Sequence, residues 1–384
     1  MAVTLRDEAR LLFLCAGPTE NDERIAALSR SAIDWREVTR LAIAARAAPV
    51  LVRRITSALG SPFPSAAEGL RRLAMVEQFE LLRMEERLEE TLRAFHLAGV
   101  KTVLLKGAGL ARTVYESLAD RPMLDLDLLV PTADADAARA AALSAGWYWE
   151  RQQRYDSFYE SHHHLPPLSD ACGTRALLEL HTGLFPRGHP FDLDAAEVVD
   201  RSVPIIGHGW GAAAPSPEDH LVYLCCHWVW SHMMNGGSWR ALRDVGALAE
   251  RGGLDWQLCV ERARQARATT CVYWTLRLAR TLASIPVPAT VLLLLKPPTP
   301  AFALERLERL FAWQVAGERA CPSMRLSEAL WALALRPGWS SHGGARPWRN
   351  PDLAAWWGVE HESRPLSARR LVDSLHFARA IVRA

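Results

Sequence analysis

The chain has 384 residues, 49% of them hydrophobic and 23% charged, which supports a sizeable core and excludes a disordered polypeptide. Its formal net charge of +2 excludes an electrostatically driven nucleic-acid binder, so no stable nucleic-acid partner is expected. The seven cysteines are scattered without a Cys-x-x-Cys pair, Met1 to Gly17 lacks a signal-peptide layout, and no apolar run is long enough for a bilayer, so the expectation is a cytoplasmic protein with neither a zinc framework nor a membrane partner.

Residues 1 to 98 read as an N-terminal helical region. Ser31-Ala32-Ile33-Asp34-Trp35 has the form of a helix start, and Arg71 to Ala98 is a long amphipathic pattern closed by Gly99. Leu73, Val76, Phe79, Leu82, Leu88, Leu92 and Phe95 recur at helical spacing, so this helix needs a partner surface. At Val100 the pattern changes. Val100 to Leu105 predicts a strand, Gly107 to Ser117 a short helix, and Leu124 to Val130 a second strand. Thr132 to Ala145 predicts an Ala-rich helix, with Thr132 as N-cap and Gly146 as its stop. Trp147 to Arg154, Ser157 to Leu165 and Arg175 to His181 predict strands, with Pro166-Pro167 as a breaker and Val203 to Ile206 as a last strand. Residues 99–210 therefore form an α/β core. Ser216-Pro217-Glu218-Asp219 opens a C-terminal helical region, 211–384, with Trp-rich packing and loops at Pro297 to Pro300 and Pro337 to Pro351.

The chemistry concentrates in the second strand. Side chains two apart on a strand share a face, so Asp125 and Asp127 project together, roughly 7 Å apart at Cα. Leu124, Leu126 and Leu128 face the other way. Adjacent carboxylates raise each other's energy unless a cation sits between them, so the pattern points to a divalent ion, and Mg²⁺ with phosphate is the commonest use of so few carboxylates. Two other Asp-x-Asp spacings, Asp134/Asp136 and Asp192/Asp194, lie in a helical pattern and a turn-like stretch. Only Asp125/Asp127 is embedded in leucines and stopped by a proline, Pro131.

The order strand, Lys106-Gly107 turn, short helix, Asp-x-Asp strand resembles the nucleotidyltransferase superfamily of DNA polymerase β and the aminoglycoside nucleotidyltransferases. More closely, Leu105-Lys106-Gly107, Tyr115 and Arg121-Pro122-Met123-Leu124-Asp125-Leu126-Asp127 are similar to a bacterial family of uncharacterised nucleotidyltransferases. Leu178-Glu179-Leu180-His181, the Ser216-to-His227 helix and Arg243-Asp244-Val245 before Leu254-Asp255-Trp256 extend the likeness over about residues 100–260. The resemblance implies an α+β fold, with a nucleotidyltransferase-type mixed β-sheet core flanked by N- and C-terminal helical regions. It also implies one or two Mg²⁺ ions on Asp125, Asp127 and Glu179, with a nucleoside triphosphate as co-substrate. A hydroxyl of a small molecule, peptide or protein would attack the α-phosphorus and release pyrophosphate; neighbouring natural-product or polysaccharide genes in the family suggest a modifying enzyme. Lys106, Gly107 and Arg121 would hold phosphates, with Arg121 alternatively orienting an aspartate or forming a structural ion pair, and His181 would orient Glu179. Glu179 or an aspartate would take the hydroxyl proton. Phosphoryl transfer at the same metals and a non-catalytic nucleotide-binding module are the alternatives. Gly107-Ala108-Gly109 replaces the superfamily's Gly-Ser or Gly-Gly pair, and the gap to Asp125 is longer than usual.

Two further motifs read as structural. Consecutive strand residues point alternately, so His162-His163-His164 is expected to line a solvated strand or pocket rim rather than one ion. Cys225-Cys226-His227, beside Trp228 and Trp230, is expected to be buried packing, with His227 bonded to a carboxylate such as Asp244.

Overall fold

A computed structural model describes residues 3–60, 63–149, 159, 162–186, 189–206, 209–234 and 236–317. The expected strand residues 150–154, 157, 158, 160 and 161, and the loop at Pro337 to Pro351, lie outside the described residues.

Five helices come first: α1 (Asp7–Leu14), α2 (Asp22–Arg30), α3 (Trp35–Ala45), α4 (Ala48–Leu59) and α5 (Glu68–Leu97). The expected helix start is realised at α3, where the Asp34 carboxylate accepts from the Arg36 amide at 2.9 Å. The α/β region follows with β1 (Val103–Leu104), α6 (Lys106–Thr113), β2 (Asp125–Leu129), α7 (Ala135–Ser144), β3 (Trp147–Tyr148), β4 (Leu168–Asp170), β5 (Leu177–His181), α8 (Ala195–Asp200), β6 (Val203–Pro204) and β7 (Ala213–Ala214). Helices α9 (Pro217–Cys226), α10 (Ser238–Arg251), α11 (Trp256–Gln265), α12 (Thr269–Ala283), α13 (Ala289–Leu295) and α14 (Ala301–Val315) complete the described chain. The architecture is thus α+β, built, among the described residues, on one mixed seven-stranded sheet of order β3-β4-β5-β2-β1-β7-β6.

The leucines of β2 decide how its aspartates point. Leu126 and Leu128 are fully buried with Leu178 and Leu180 of β5, under Leu88, Leu92 and Phe95 of α5 and Ala138 and Ala142 of α7. Each such leucine contributes about 1.5–3 kcal/mol through burial. A one-residue slip would exchange leucines for carboxylates in this core, so the alternation fixes Asp125 and Asp127 on the opposite face. Parallel pairing of β2 with β5 sets Asp125 across from Leu177, Asp127 across from Glu179 and Leu129 across from His181.

On that opposite face lies a second, larger core, shared by α1–α4 and α9–α14. The two chain regions interlock. Asn21 donates to the carbonyls of Leu14 and Ala283 at 3.1 and 3.0 Å, and Trp239 Nε1 donates to Leu12 O at 2.8 Å. Gly17 packs so closely on the Ala283 carbonyl that no Cβ fits there.

Several expectations change in detail. The buried stripe of α5 is Leu70, Ala74, Leu81, Met84, Leu88, Leu92 and Phe95, whereas Val76, Phe79 and Leu82 are 59%, 63% and 50% exposed. Helix α7 begins with a tighter 3₁₀ turn at Thr132–Asp134, and the Thr132 side chain caps nothing among the described residues. Gly146 does end the helix region, at φ +87°. Strands β4 and β7 were not expected: Leu-Ser-Asp and Ala-Ala are too short to show alternation, and pairing with neighbours makes them strands.

Candidate metal-binding and active site

The Lys-Gly turn is built by its neighbours. The Leu105 amide donates to Asp127 O at 2.9 Å, tying the end of β1 to β2. Lys106 then opens α6 at φ +43°, a left-handed conformation uncommon for a side-chain-bearing residue. Buried His220 of α9 bonds the Lys106 backbone, and burial pushes that imidazole down to about 3, so it is neutral. Gly109 makes the approach possible, because a Cβ there would sit 2.9 Å from His220 Cε1 and overlap the Leu104 carbonyl. The turn directs the Lys106 ammonium back onto β2, where Nζ donates to Asp127 Oδ1 at 2.7 Å.

Asp127 is the centre of a buried charged group. His181 Nε2 lies 2.9 Å from Asp127 Oδ1 and 3.4 Å from Glu179 Oε2. Burial works against every charge here, and proximity wins. The Lys106 charge and the His181 hydrogen bond hold Asp127 below the usual carboxylate range despite its burial. Burial would raise Glu179, but His181, His164 and Lys106 bring it down to about 2. Burial would also deprotonate His181, yet its bonds to Asp127 and Glu179 hold its pKa above the ordinary value. Lys106, buried beside Asp127, likewise keeps its proton more firmly than a free lysine.

The donor atoms of Asp127, Glu179 and His181 lie within 4.8 Å of one another; with His181 bonded to both carboxylates through Nε2, the carboxylates are the groups that could hold a metal ion. Both cationic neighbours contact Asp127 through Oδ1. Asp125 shares the face, half-buried at the start of β2, but its carboxylate stands outside this cluster. Hard oxygen donors from Asp125, Asp127 and Glu179 fit Mg²⁺.

Arg121 lies elsewhere than on the carboxylate cluster. Its guanidinium forks onto Asp244 of α10, Nε to Oδ1 at 2.8 Å and Nη2 to Oδ2 at 2.8 Å, while Nη1 donates to Pro122 O at 3.0 Å. Tyr115 completes the group by donating to Asp244 Oδ1 at 2.9 Å. Tyr115, Arg121 and Asp244, from three of the motifs, therefore meet, and Arg121 orients Asp244 rather than Asp125. Asp244 in turn is not bonded to His227, correcting that expectation. His227 packs instead on Tyr223 and His232, ring centroids 6.0 and 4.6 Å away. It starts a π-type turn, His227–Ser231, a widening that recurs at functional sites, followed by left-handed Met233 and Met234.

Arg240 of α10 was missed. It makes no ion pair or side-chain hydrogen bond to a carboxylate among the described residues. Burial and the positive charge of Arg121 lower its pKa, while Asp125 pulls the other way. It is a cation beside the aspartates with its donors uncommitted to any carboxylate. Its sequence signal, one arginine among many, was too weak to find it.

The histidine triplet also departs from expectation. The chain bends at His162 and His163 instead of continuing as a regular strand, and only His164 forms a bridge, to His181. The rings consequently converge, with centroids 4.2 to 4.9 Å apart.

A mixed sheet flanked by helices is consistent with a nucleotidyltransferase-like α+β fold. The chain belongs to a family described as uncharacterised nucleotidyltransferase, whose profile matches residues 31–284, more than half of the sequence. The match reaches from the end of α2 to the end of α12, so helices on both sides of the sheet belong to the family's unit. No curated protein and no solved structure matches the chain. Nucleotidyl transfer is the general activity that the family supports, with a nucleoside triphosphate and a divalent metal as its general requirements. Among the described residues no helix is long and apolar enough to cross a membrane.

Proposed function

We propose that the protein is a Mg²⁺-dependent nucleotidyltransferase that transfers a nucleoside monophosphate from a nucleoside triphosphate to a hydroxyl of a small molecule, peptide or protein. The observation that carries this reading is the pairing of Asp127 directly across from Glu179, with Asp125 on the same face. Bound Mg²⁺ would supply charge neutralisation at the attacking and leaving oxygens. Asp125, Asp127 and Glu179 would hold it. Lys106 keeps Asp127 ionised and in place by its ion pair, and the Lys106-Gly107 turn presents backbone amides to phosphate. Arg240, uncommitted to a carboxylate, takes the triphosphate role first expected of Arg121. The acceptor hydroxyl's proton passes to a carboxylate of this face, Glu179 or the aspartate nearest the acceptor. The acceptor oxygen bonds to the α-phosphorus as the bond to the β-phosphate oxygen breaks, and pyrophosphate leaves.

The test is purified protein with Mg²⁺ and each of the four ribonucleoside triphosphates, wild type beside Asp125→Ala/Asp127→Ala. Metal-dependent nucleotide binding or pyrophosphate release, lost in the variant, supports the proposal. Orthophosphate release with a diphosphate product replaces it with phosphoryl transfer at the same site. A folded protein that binds no nucleotide with metal overturns the enzymatic reading.

A further inference from the structure

We propose that His162, His163 and His164 form a three-imidazole site for a divalent transition-metal ion of the Zn²⁺ type, distinct from the carboxylate site of β2 and β5. Their donor nitrogens lie within 4.8 Å of one another. Zn–N bonds of about 2.0–2.1 Å place tetrahedral ligands roughly 3.3 Å apart, a closure that side-chain rotation supplies.

The backbone explains the convergence. The Thr182 and Gly183 amides both donate to His163 O, at 2.9 and 3.0 Å, folding the triplet against the end of β5. His164 Nδ1 donates to Leu165 O at 2.7 Å, which fixes the tautomer and leaves Nε2 with its lone pair free to ligate. A ligating histidine normally shows this arrangement, with its second nitrogen on a backbone carbonyl. His163 Nδ1 is buried with no hydrogen-bond partner, a costly state that a metal ion would relieve.

The chemistry of the donors selects the ion. Imidazoles suit Zn²⁺ and similar borderline ions, whereas Mg²⁺ demands oxygen. Three protein ligands leave a coordination position open. The His181 ring lies 5.3 Å from those of His163 and His164, with its Nε2 on Asp127 and Glu179, so negative charge stands one ring away from the proposed ion.

The experiment uses the chelator-stripped full chain, titrated with Co²⁺ and followed by its d–d absorption, then with Zn²⁺ by calorimetry. With Mg²⁺ in excess to occupy the carboxylate site, wild type is expected to bind one equivalent. His163→Ala/His164→Ala is expected to lose more than the roughly 10–100-fold in affinity that removal of an outer-shell partner costs. Asp125→Asn and Glu179→Gln are expected to retain binding. X-ray absorption of the Zn²⁺-loaded wild type, which needs no variant to fold, is expected to show three imidazoles. Absence of stoichiometric binding, an oxygen-dominated shell, or binding that survives in the histidine variant and disappears in Asp127→Asn overturns the proposal.

Discussion

Glu179 stands directly across from Asp127 on the neighbouring parallel strand, and the imidazole of His181, two residues further along, approaches both carboxylates. His181, His164 and Lys106 thus hold Glu179 ionised, as the metal-binding role proposed for it requires. Replacing it by glutamine keeps its shape and removes its charge. Glu179→Gln is expected to reduce pyrophosphate release by about 100-fold or more, in the range seen when one charge-stabilising group leaves an active site. Mg²⁺ should raise the urea midpoint of the wild type through preferential binding to the folded state and leave that of the variant unchanged.

Lys106 and Asp127 form a buried pair at 2.7 Å. Removing one partner strands the other charge, so Lys106→Met is expected to cost about 3–5 kcal/mol in urea unfolding. Adding Asp127→Asn to Lys106→Met should return part of that loss. A double-mutant cycle with no coupling between the positions would contradict the pair as described.

Glycines 69 and 109 predict opposite signs. A Cβ at Gly109 meets the Leu104 carbonyl and His220, both held by packed elements, so Gly109→Ala is expected to destabilise by about 1–3 kcal/mol or more. At Gly69, in the first turn of α5, a Cβ meets nothing within 4 Å. There alanine is expected to stabilise by about 0.4–1 kcal/mol. Thermal unfolding of the two variants side by side provides the comparison.

Glu77 of α5 carries an orphaned oxygen, Oε2, and burial raises its pKa to about 7. A folded-state pKa above the unfolded value binds protons preferentially in the native protein. Its contribution to stability is therefore present below the unfolded pKa of about 4.5 and is lost as pH rises through about 7. Glu77→Gln is expected to leave stability near pH 4 almost unchanged and to raise it at pH 8 by on the order of 1 kcal/mol, after allowance for solvent screening. Urea midpoints across pH 4–8 measure the difference.

That Asp125 shares a face with Asp127, and Glu179 with His181, was legible because alternation on strands is a short-range rule, and leucines on the alternate positions report which face is buried. Arg121 was visible as a motif residue, yet its partner Asp244 lies 123 positions away and cannot be paired from spacing. Arg240 had no local signal at all. The histidine triplet misled for a related reason: alternation was applied to a segment that bends. On α5 the periodicity found a helix, but Val76 and Phe79 have the same hydrophobicity whether or not a partner surface covers them.

The contact of Asn21 with Ala283 spans 262 residues of chain. During synthesis α1 and α2 can pack on α3 and α4, but the part of α1 that meets α12 stays uncovered until the polypeptide through α12 has left the ribosome. The carboxylate strand is made long before its surroundings can close, so the charged cluster matures late, as a product of whole-chain assembly.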